Sequence, residues 1–137
     1  MINSANSRVF YAVAAGNNGA NPCNCSPAHA GTHDGVMTTA ATDSNDNEAS
    51  WSNYDDCVDI WAPWVSILST KRGGGTTTMS GTSMASPHVA GVALSGCSTH
   101  RGRPAVVEAG LKPSAQSTGT SGKDKGAIIS RLIDRHS

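Results

Sequence analysis

Gly81-Thr82-Ser83-Met84-Ala85-Ser86-Pro87-His88-Val89-Ala90-Gly91 is a turn of small residues opening into an apolar segment. A serine hydroxyl is a poor nucleophile unless it is exposed, fixed in angle and surrounded by donors for the oxyanion that its attack creates. Gly81, Thr82, Ala85 and Ser86 leave room for a substrate to approach Ser83. A helix starting at Ser83 aims unpaired backbone N–H groups and a partial positive charge at that point. Pro87, read as a first-turn residue, fits because its missing N–H costs little there. On helix logic alone, a serine before an apolar run is more often a cap than a nucleophile.

Upstream, Val9 to Ala15 is a continuous apolar run that ends at Gly16-Asn17-Asn18-Gly19, as expected of a buried parallel strand stopped by a turn. Gly35 to Ala41 is a second, weaker strand, because its threonines and alanines carry little apolar bulk. Cys57 to Trp61 and Val65 to Thr70 form two more, separated by Ala62-Pro63-Trp64. The helix from Ser83 to about Ser95 is apolar on nearly every side, which predicts a buried segment, and Gly96 is its natural stop. A second helix runs from Pro104 through Leu111. Lys112 to Gly126 is a polar Gly- and Ser-rich loop, followed by a final strand or short helix over Ala127 to Ile133. Strands alternating with helices predict an α/β fold with a mostly parallel sheet. Active residues in such sheets lie beyond the carboxyl ends of strands, which is where Asn17 falls.

The 137 residues suffice for one modest domain. With 37% hydrophobic and 4% aromatic residues, its core must rest on Ala, Val, Ile and Leu and is expected to be thin. Ten basic residues balance ten acidic ones without a basic stripe, so a nucleic-acid surface has little support. No apolar run approaches membrane-spanning length, and Met1 to Asn6 lack the basic start and apolar stretch of a secretory signal. Cys23-Asn24-Cys25 is too tight for a paired zinc knuckle, so a structural disulfide is preferred for the four cysteines Cys23, Cys25, Cys57 and Cys97.

The eleven residues around Ser83 resemble, almost letter for letter, the nucleophile motif of the subtilisin-like serine proteases (peptidase S8), and Ala14-Ala15-Gly16-Asn17 resembles their oxyanion-hole segment. The resemblance continues through Ser26-Pro27-Ala28, Ala41-Thr42-Asp43, Trp51-Ser52-Asn53-Tyr54, Val58-Asp59-Ile60 and Ala62-Pro63. Ala105 to Leu111 and Ser117-Thr118-Gly119-Thr120 look like the carboxyl end of a secreted bacterial member of the proteinase K and aqualysin-like branch. It implies a partial subtilisin-like three-layer fold and a serine-type endopeptidase working through an acyl-enzyme on polypeptide substrates. Ser83 is then the nucleophile, Asn17 the oxyanion donor, and Ala14, Ala15 and Gly16 line the substrate. The parent protein is expected to be extracellular.

In that family the catalytic aspartate and histidine lie upstream of the oxyanion asparagine, in Asp-Thr-Gly and His-Gly-Thr-His segments. The sixteen residues before Asn17 contain neither, so residues 1–137 correspond to the C-terminal part of a catalytic domain and need its N-terminal half as partner. Ala30-Gly31-Thr32-His33 echoes the histidine segment, but its catalytic position is Ala30 and it follows Asn17, so His33 is read as a surface histidine. His88 lies on a different helical face from Ser83. His29, His100 and His136 carry no motif. The chain alone is therefore expected to be inactive, the alternative being a noncatalytic module that binds peptide or a partner.

The resemblance also pairs Cys23 with Cys57, with Cys25 as a competitor and Cys97 a buried free thiol. No cofactor is required for the chemistry. Asp59 matches an aspartate that binds a structural calcium with carbonyls near residues 34 to 36, while a salt-bridged or solvated Asp59 is the alternative. Trp64 stands where the family usually has glycine, and either reshapes that turn or crowds the region behind Ser83. Leu94-Ser95-Gly96 interrupts a normally longer apolar helix.

Overall fold

The computed structural model describes residues 8–99, 103–121 and 128–131; the side chains of 96–99, 116–121 and 128–131, and with them Cys97, lie outside that description, as do His100 and His136. Its strands are β1 (Tyr11–Ala14), β2 (Val36–Thr42), β3 (Ile60–Pro63), β4 (Ile67–Thr70), β5 (Thr76–Met79), β6 (Gln116–Ser121) and β7 (Ile128–Arg131), with helices α1 (Thr82–Thr99) and α2 (Pro104–Ser114). A five-stranded sheet runs β1-β2-β3-β7-β6. β1, β2, β3 and β7 are parallel and β6 is antiparallel to β7, so the α/β fold with a mostly parallel sheet stands as expected.

Alternation along the strands builds two faces. Met37 and Ala41 of β2 and Ile60 and Ala62 of β3 face one side, where they pack with Ala85, Val89 and Ala93 of α1 and Val107 and Leu111 of α2. Val36 and Ala40 face the other side. Val36 meets Val13 and Ala30, and Ala40 meets Ala15 and Trp61. That second face is covered by the 3-10 turn Ala28–Thr32 and by Tyr54 and Val58, so its layer is made of turns and loop among the described residues.

β2, weak by composition, is buried along its whole length. Its interior position between β1 and β3 overrides propensity. Thr38 reconciles its hydroxyl with burial by donating to the Ala28 carbonyl at 2.7 Å. The core is thin in bulk, as composition predicts, with one exception. Trp64 enters it beside Trp51 in an edge-to-face contact with ring centroids 3.8 Å apart, filling rather than disrupting the space under α1.

Several boundaries and faces differ from expectation. α1 continues through Gly96 to Thr99, because one glycine costs only about 1 kcal/mol inside a helix. It starts at Thr82, so Pro87 lies inside the helix rather than in its first turn. The helix is buried on one face only: Ala85, Val89 and Ala93 pack inward, while Pro87, Ala90, Gly91 and Leu94 are exposed, Leu94 to 75%. The segment read as a loop from Lys112 to Gly126 contains the last turn of α2 and all of β6, whose short polar residues hide the strand pattern. Of the expected strand Val65 to Thr70, Val65 and Ser66 are a turn and Ile67–Thr70 is one arm of an exposed two-stranded hairpin with β5, turned by Gly73, Gly74 and Gly75 at positive φ.

Cys23 and Cys57 form a disulfide with Cα atoms 5.4 Å apart, and Cys25 is free. Closing a loop of 34 residues contributes about 3 to 4 kcal/mol through the unfolded state.

Candidate active site

Asn17 lies three residues past the carboxyl end of β1, and Ser83 is the second residue of α1. Both are exposed. The element that joins them is Thr82, which is fully buried. Its backbone N–H donates to Asn17 Oδ1 at 3.0 Å and its hydroxyl donates to the same oxygen at 2.8 Å. The hydroxyl oxygen also accepts from the Gly16 N–H at 3.1 Å. A backbone N–H can only donate, so the Asn17 atom facing it must be the amide oxygen. The Nδ2 group is thereby turned outward as a donor, and among the described residues it has no partner.

Gly81 beside that donor is set by its backbone conformation, not by lack of space. Its φ is +147°, a conformation that side chains rarely adopt, and a Cβ added there would stand 3.5 Å from Asn17 Nδ2. The first helical N–H groups divide unequally. Thr82 N–H goes to Asn17, and Met84 N–H goes to the Gly81 carbonyl at 2.8 Å. Ser83 N–H has no acceptor among the described residues, so it and Asn17 Nδ2 are two open donors flanking the serine at a helix N-terminus. A developing oxyanion needs such a pair.

A second buried amide fixes the turn from below. Asn53 is wholly buried. Its Nδ2 donates to the Ala15 carbonyl at 2.8 Å, and its Oδ1 accepts from Ala20 N–H at 2.9 Å and Asn18 N–H at 3.2 Å. Its own N–H donates to the Gly16 carbonyl at 3.0 Å. Gly16 has φ +108°, and a Cβ there would come within 2.5 Å of Asn53 Nδ2, so no other residue fits. Ser86, on the inner side of α1, donates to the Ala12 carbonyl at 3.0 Å and pins the helix to β1. Thr82, Asn53 and Ser86 thus position the two chemical groups. Each stands inside a motif quoted above, yet no spacing rule in one sequence distinguishes a clamp from a filler.

No base meets the serine among the described residues. His88 folds back on its own helix, with Nδ1 at 2.8 Å from the Met84 carbonyl. His33 is exposed, and its backbone N–H closes the 3-10 turn on Ala30. His29 Nδ1 lies 3.3 Å from the Cys25 carbonyl.

The residue matches over this geometry extend along the chain: the peptidase S8 subtilase family model matches residues 1–126. The chain belongs to the subtilase family. This subtilase chain is 56% identical over 87 residues to the alkaline serine protease ver112 of Corniculantispora psalliotae, covering 64% of the chain and 22% of that relative. It is 58% identical over 85 residues to the subtilisin-like serine protease AsES of Sarocladium strictum, covering 62% of the chain and 21% of the relative. The solved structure of a cold adapted subtilisin-like serine proteinase superposes with a TM-score of 0.83 at 37% identity, covering 94% of this chain and 46% of that one. The chain therefore spans about a fifth of the curated relatives it matches.

Both carboxylate oxygens of Asp59 are engaged within the chain. Calcium takes about six to eight oxygen ligands. Asp59 Oδ1 is 2.8 Å from the Lys112 ammonium, and Oδ2 accepts from the Thr38 N–H at 2.7 Å. Among the described residues no group of three acidic, histidine or cysteine side chains could hold a metal ion. Burial holds the Asp59 carboxyl above its ordinary value of 3.8, although the bonds from Lys112 and Thr38 pull it down. Lys112 is raised above its ordinary 10.5, since its bonds to Asp59 and Glu108 outweigh the opposing effect of its own burial.

Proposed function

We propose that this chain is the nucleophile-bearing part of a subtilisin-like serine endopeptidase that acts on polypeptides outside the cell. Ser83 Oγ attacks the scissile carbonyl, and Asn17 Nδ2 with the Ser83 N–H receives the oxyanion. The observation that carries this reading is the double bond of Thr82 to Asn17 Oδ1, which leaves Nδ2 as a fixed, unpaired donor beside the serine. The leaving amine departs, the acyl-serine remains, and water releases it. Both proton transfers need a histidine held by an aspartate, which we assign to the N-terminal half of the domain.

Ala14, Ala15 and Gly16 serve a substrate as an apolar wall. The Ala15 N–H donates to the Thr39 carbonyl and the Gly16 N–H to the Thr82 hydroxyl, so these two donors are not available to a peptide, while the Ala15 and Gly16 carbonyls each already accept one bond from Asn53. The open side of β1 and the exposed face of α1 are where the second half packs. A helix apolar on all sides is stable when both faces are covered. The Cys23–Cys57 disulfide accords with an oxidising, extracellular setting.

The test adds the missing half. The chain is refolded with the N-terminal portion of a subtilisin-like relative that carries the Asp-Thr-Gly and His-Gly-Thr-His segments, and assayed with a chromogenic peptide and a fluorophosphonate probe. Turnover and labelling are expected only in the mixture, and Ser83→Ala abolishes both. Turnover by the chain alone, abolished by Ser83→Ala, would show that the second half is not needed. A refolded mixture that binds peptide without turnover would favour a noncatalytic binding module, the reading to which a Ser83 without a base among the described residues otherwise points.

A further inference from the structure

The corner where the family resemblance anticipates a metal ion is closed by a side chain. Lys112 Nζ on α2 lies 2.6 Å from Glu108 Oε1 and 2.8 Å from Asp59 Oδ1. The remaining oxygen of each carboxylate accepts a backbone N–H: Glu108 Oε2 from Gly35 at 2.6 Å, and Asp59 Oδ2 from Thr38 at 2.7 Å. The Asp59 and Glu108 side chains are only 10% and 11% exposed, so neither charge has water to rely on. Gly31 turns its bare Cα into the same corner: a Cβ there would sit 2.5 Å from Thr38 Oγ1, 2.7 Å from Asp59 Oδ2 and 2.9 Å from the Cys57 carbonyl. Two buried anions, a hydroxyl and a carbonyl converge from the 3-10 turn Ala28–Thr32, the approaches to β2 and β3, and α2. Among the described residues, Lys112 is the cation that meets both anions.

We propose that the Lys112 ammonium is a built-in substitute for a bound divalent cation. Carried on α2, it bridges Asp59 and Glu108 as a calcium ion would, and it makes this corner of the fold independent of metal. A lysine supplies one charge and three donors in place of two charges and many coordination positions, which two carboxylates already satisfied by backbone N–H groups can accept. Because it is tethered, its local concentration does not depend on the medium. Removing it leaves two buried carboxylates without a counter-charge, and such a site takes up a cation or loses stability.

The test follows the melting temperature of the full chain in EDTA and in millimolar calcium chloride, for wild type, Lys112→Met, Lys112→Arg, and Lys112→Met combined with Asp59→Asn. Wild type and Lys112→Arg are expected to show no calcium response that depends on Asp59. Lys112→Met is expected to melt several degrees lower in EDTA and to recover as calcium rises, with the recovery lost when Asp59→Asn is added. Two results would overturn the proposal. One is a wild-type calcium stabilisation that Asp59→Asn removes, placing the ion beside Lys112 rather than in its stead. The other is a Lys112→Met chain, folded or not, that calcium fails to restore.

Discussion

Thr82 holds the side-chain carbonyl of Asn17 with two hydrogen bonds, one from its backbone and one from its hydroxyl. Residues 65 positions apart are thereby fixed at one point, with the amide nitrogen of Asn17 left facing out. The clamp turns an exposed asparagine, which would otherwise sample several rotamers, into a preorganised donor.

Thr82→Val removes the hydroxyl that serves both Asn17 Oδ1 and Gly16 N–H. A loss of about 1 to 3 kcal/mol is expected, since buried polar groups are left short of partners. Urea denaturation measures it, and Thr82→Ser, which keeps the hydroxyl, should recover most of it. An unchanged midpoint for the valine variant would refute the clamp.

In the reconstituted enzyme, Asn17→Leu should lower kcat by about a hundred- to a thousandfold with little change in KM, the magnitude being that known for loss of this donor in subtilisin itself. Steady-state kinetics with a chromogenic peptide decide it. Equal effects on kcat and on 1/KM would instead indicate a binding role.

Asn53→Ala strips three backbone groups, the Ala15 carbonyl and the Asn18 and Ala20 N–H groups, of their side-chain partner while leaving a cavity. About 3 kcal/mol of destabilisation is expected from the unpaired groups. Gly16→Ala acts on the same contact from the other side and should be comparably harmful, because the new methyl meets Asn53 at 2.5 Å and φ is +108°. Thermal melts of both variants within 1 °C of wild type, on a scale where about 1 kcal/mol moves a domain of this size by several degrees, would contradict this.

The Lys112 network sets an alkaline limit. The folded-state pKa of Lys112 lies above its ordinary 10.5, so its contribution is complete below pH 10.5 and is lost as pH rises through the higher folded value. Asp59 is linked in the same direction at lower pH: burial, which the bonds from Lys112 and Thr38 do not fully offset, raises its folded pKa above the ordinary 3.8, so its ionisation lowers stability as pH rises from 3.8 through that higher value. Denaturation midpoints should therefore fall above pH 10.5 in wild type and fall less steeply in Lys112→Met.

Cys57→Ala, or reduction of wild type, should cost about 3 to 4 kcal/mol by releasing the 34-residue loop. Denaturant midpoints with and without reductant measure the difference, and Cys25→Ala should leave them unchanged.

Much of this was legible in the residues, and the failures have physical causes. The apolar run ending at Gly16-Asn17 and the small-residue turn at Gly81 placed β1, α1 and the two chemical groups, because turn chemistry and helix starts are local. Thr38 and Thr39 made β2 look weak, since its burial depends on neighbours far away in sequence. Gly96 looked like a stop because helix ends are decided by tertiary packing as well as propensity. β6 hid in Gln116–Ser121 because short polar residues carry no period-two signal. Thr82 and Asn53 were in view as letters, but their work is done by hydrogen bonds that only a folded chain brings together.

The contacts that define the site also say when it can form. Thr82 to Asn17, Thr82 to Gly16 and Ser86 to Ala12 join residues 65, 66 and 74 positions apart. Closures of that span lose chain entropy before any local contact rewards them, so they belong to the slow, late part of folding. The Asn17 amide and the Ser83 N–H should then be among the last groups to acquire their native geometry. In pulsed hydrogen exchange, the amides of Gly16 and Thr82 are expected to gain protection after those of the β2–β3 pair.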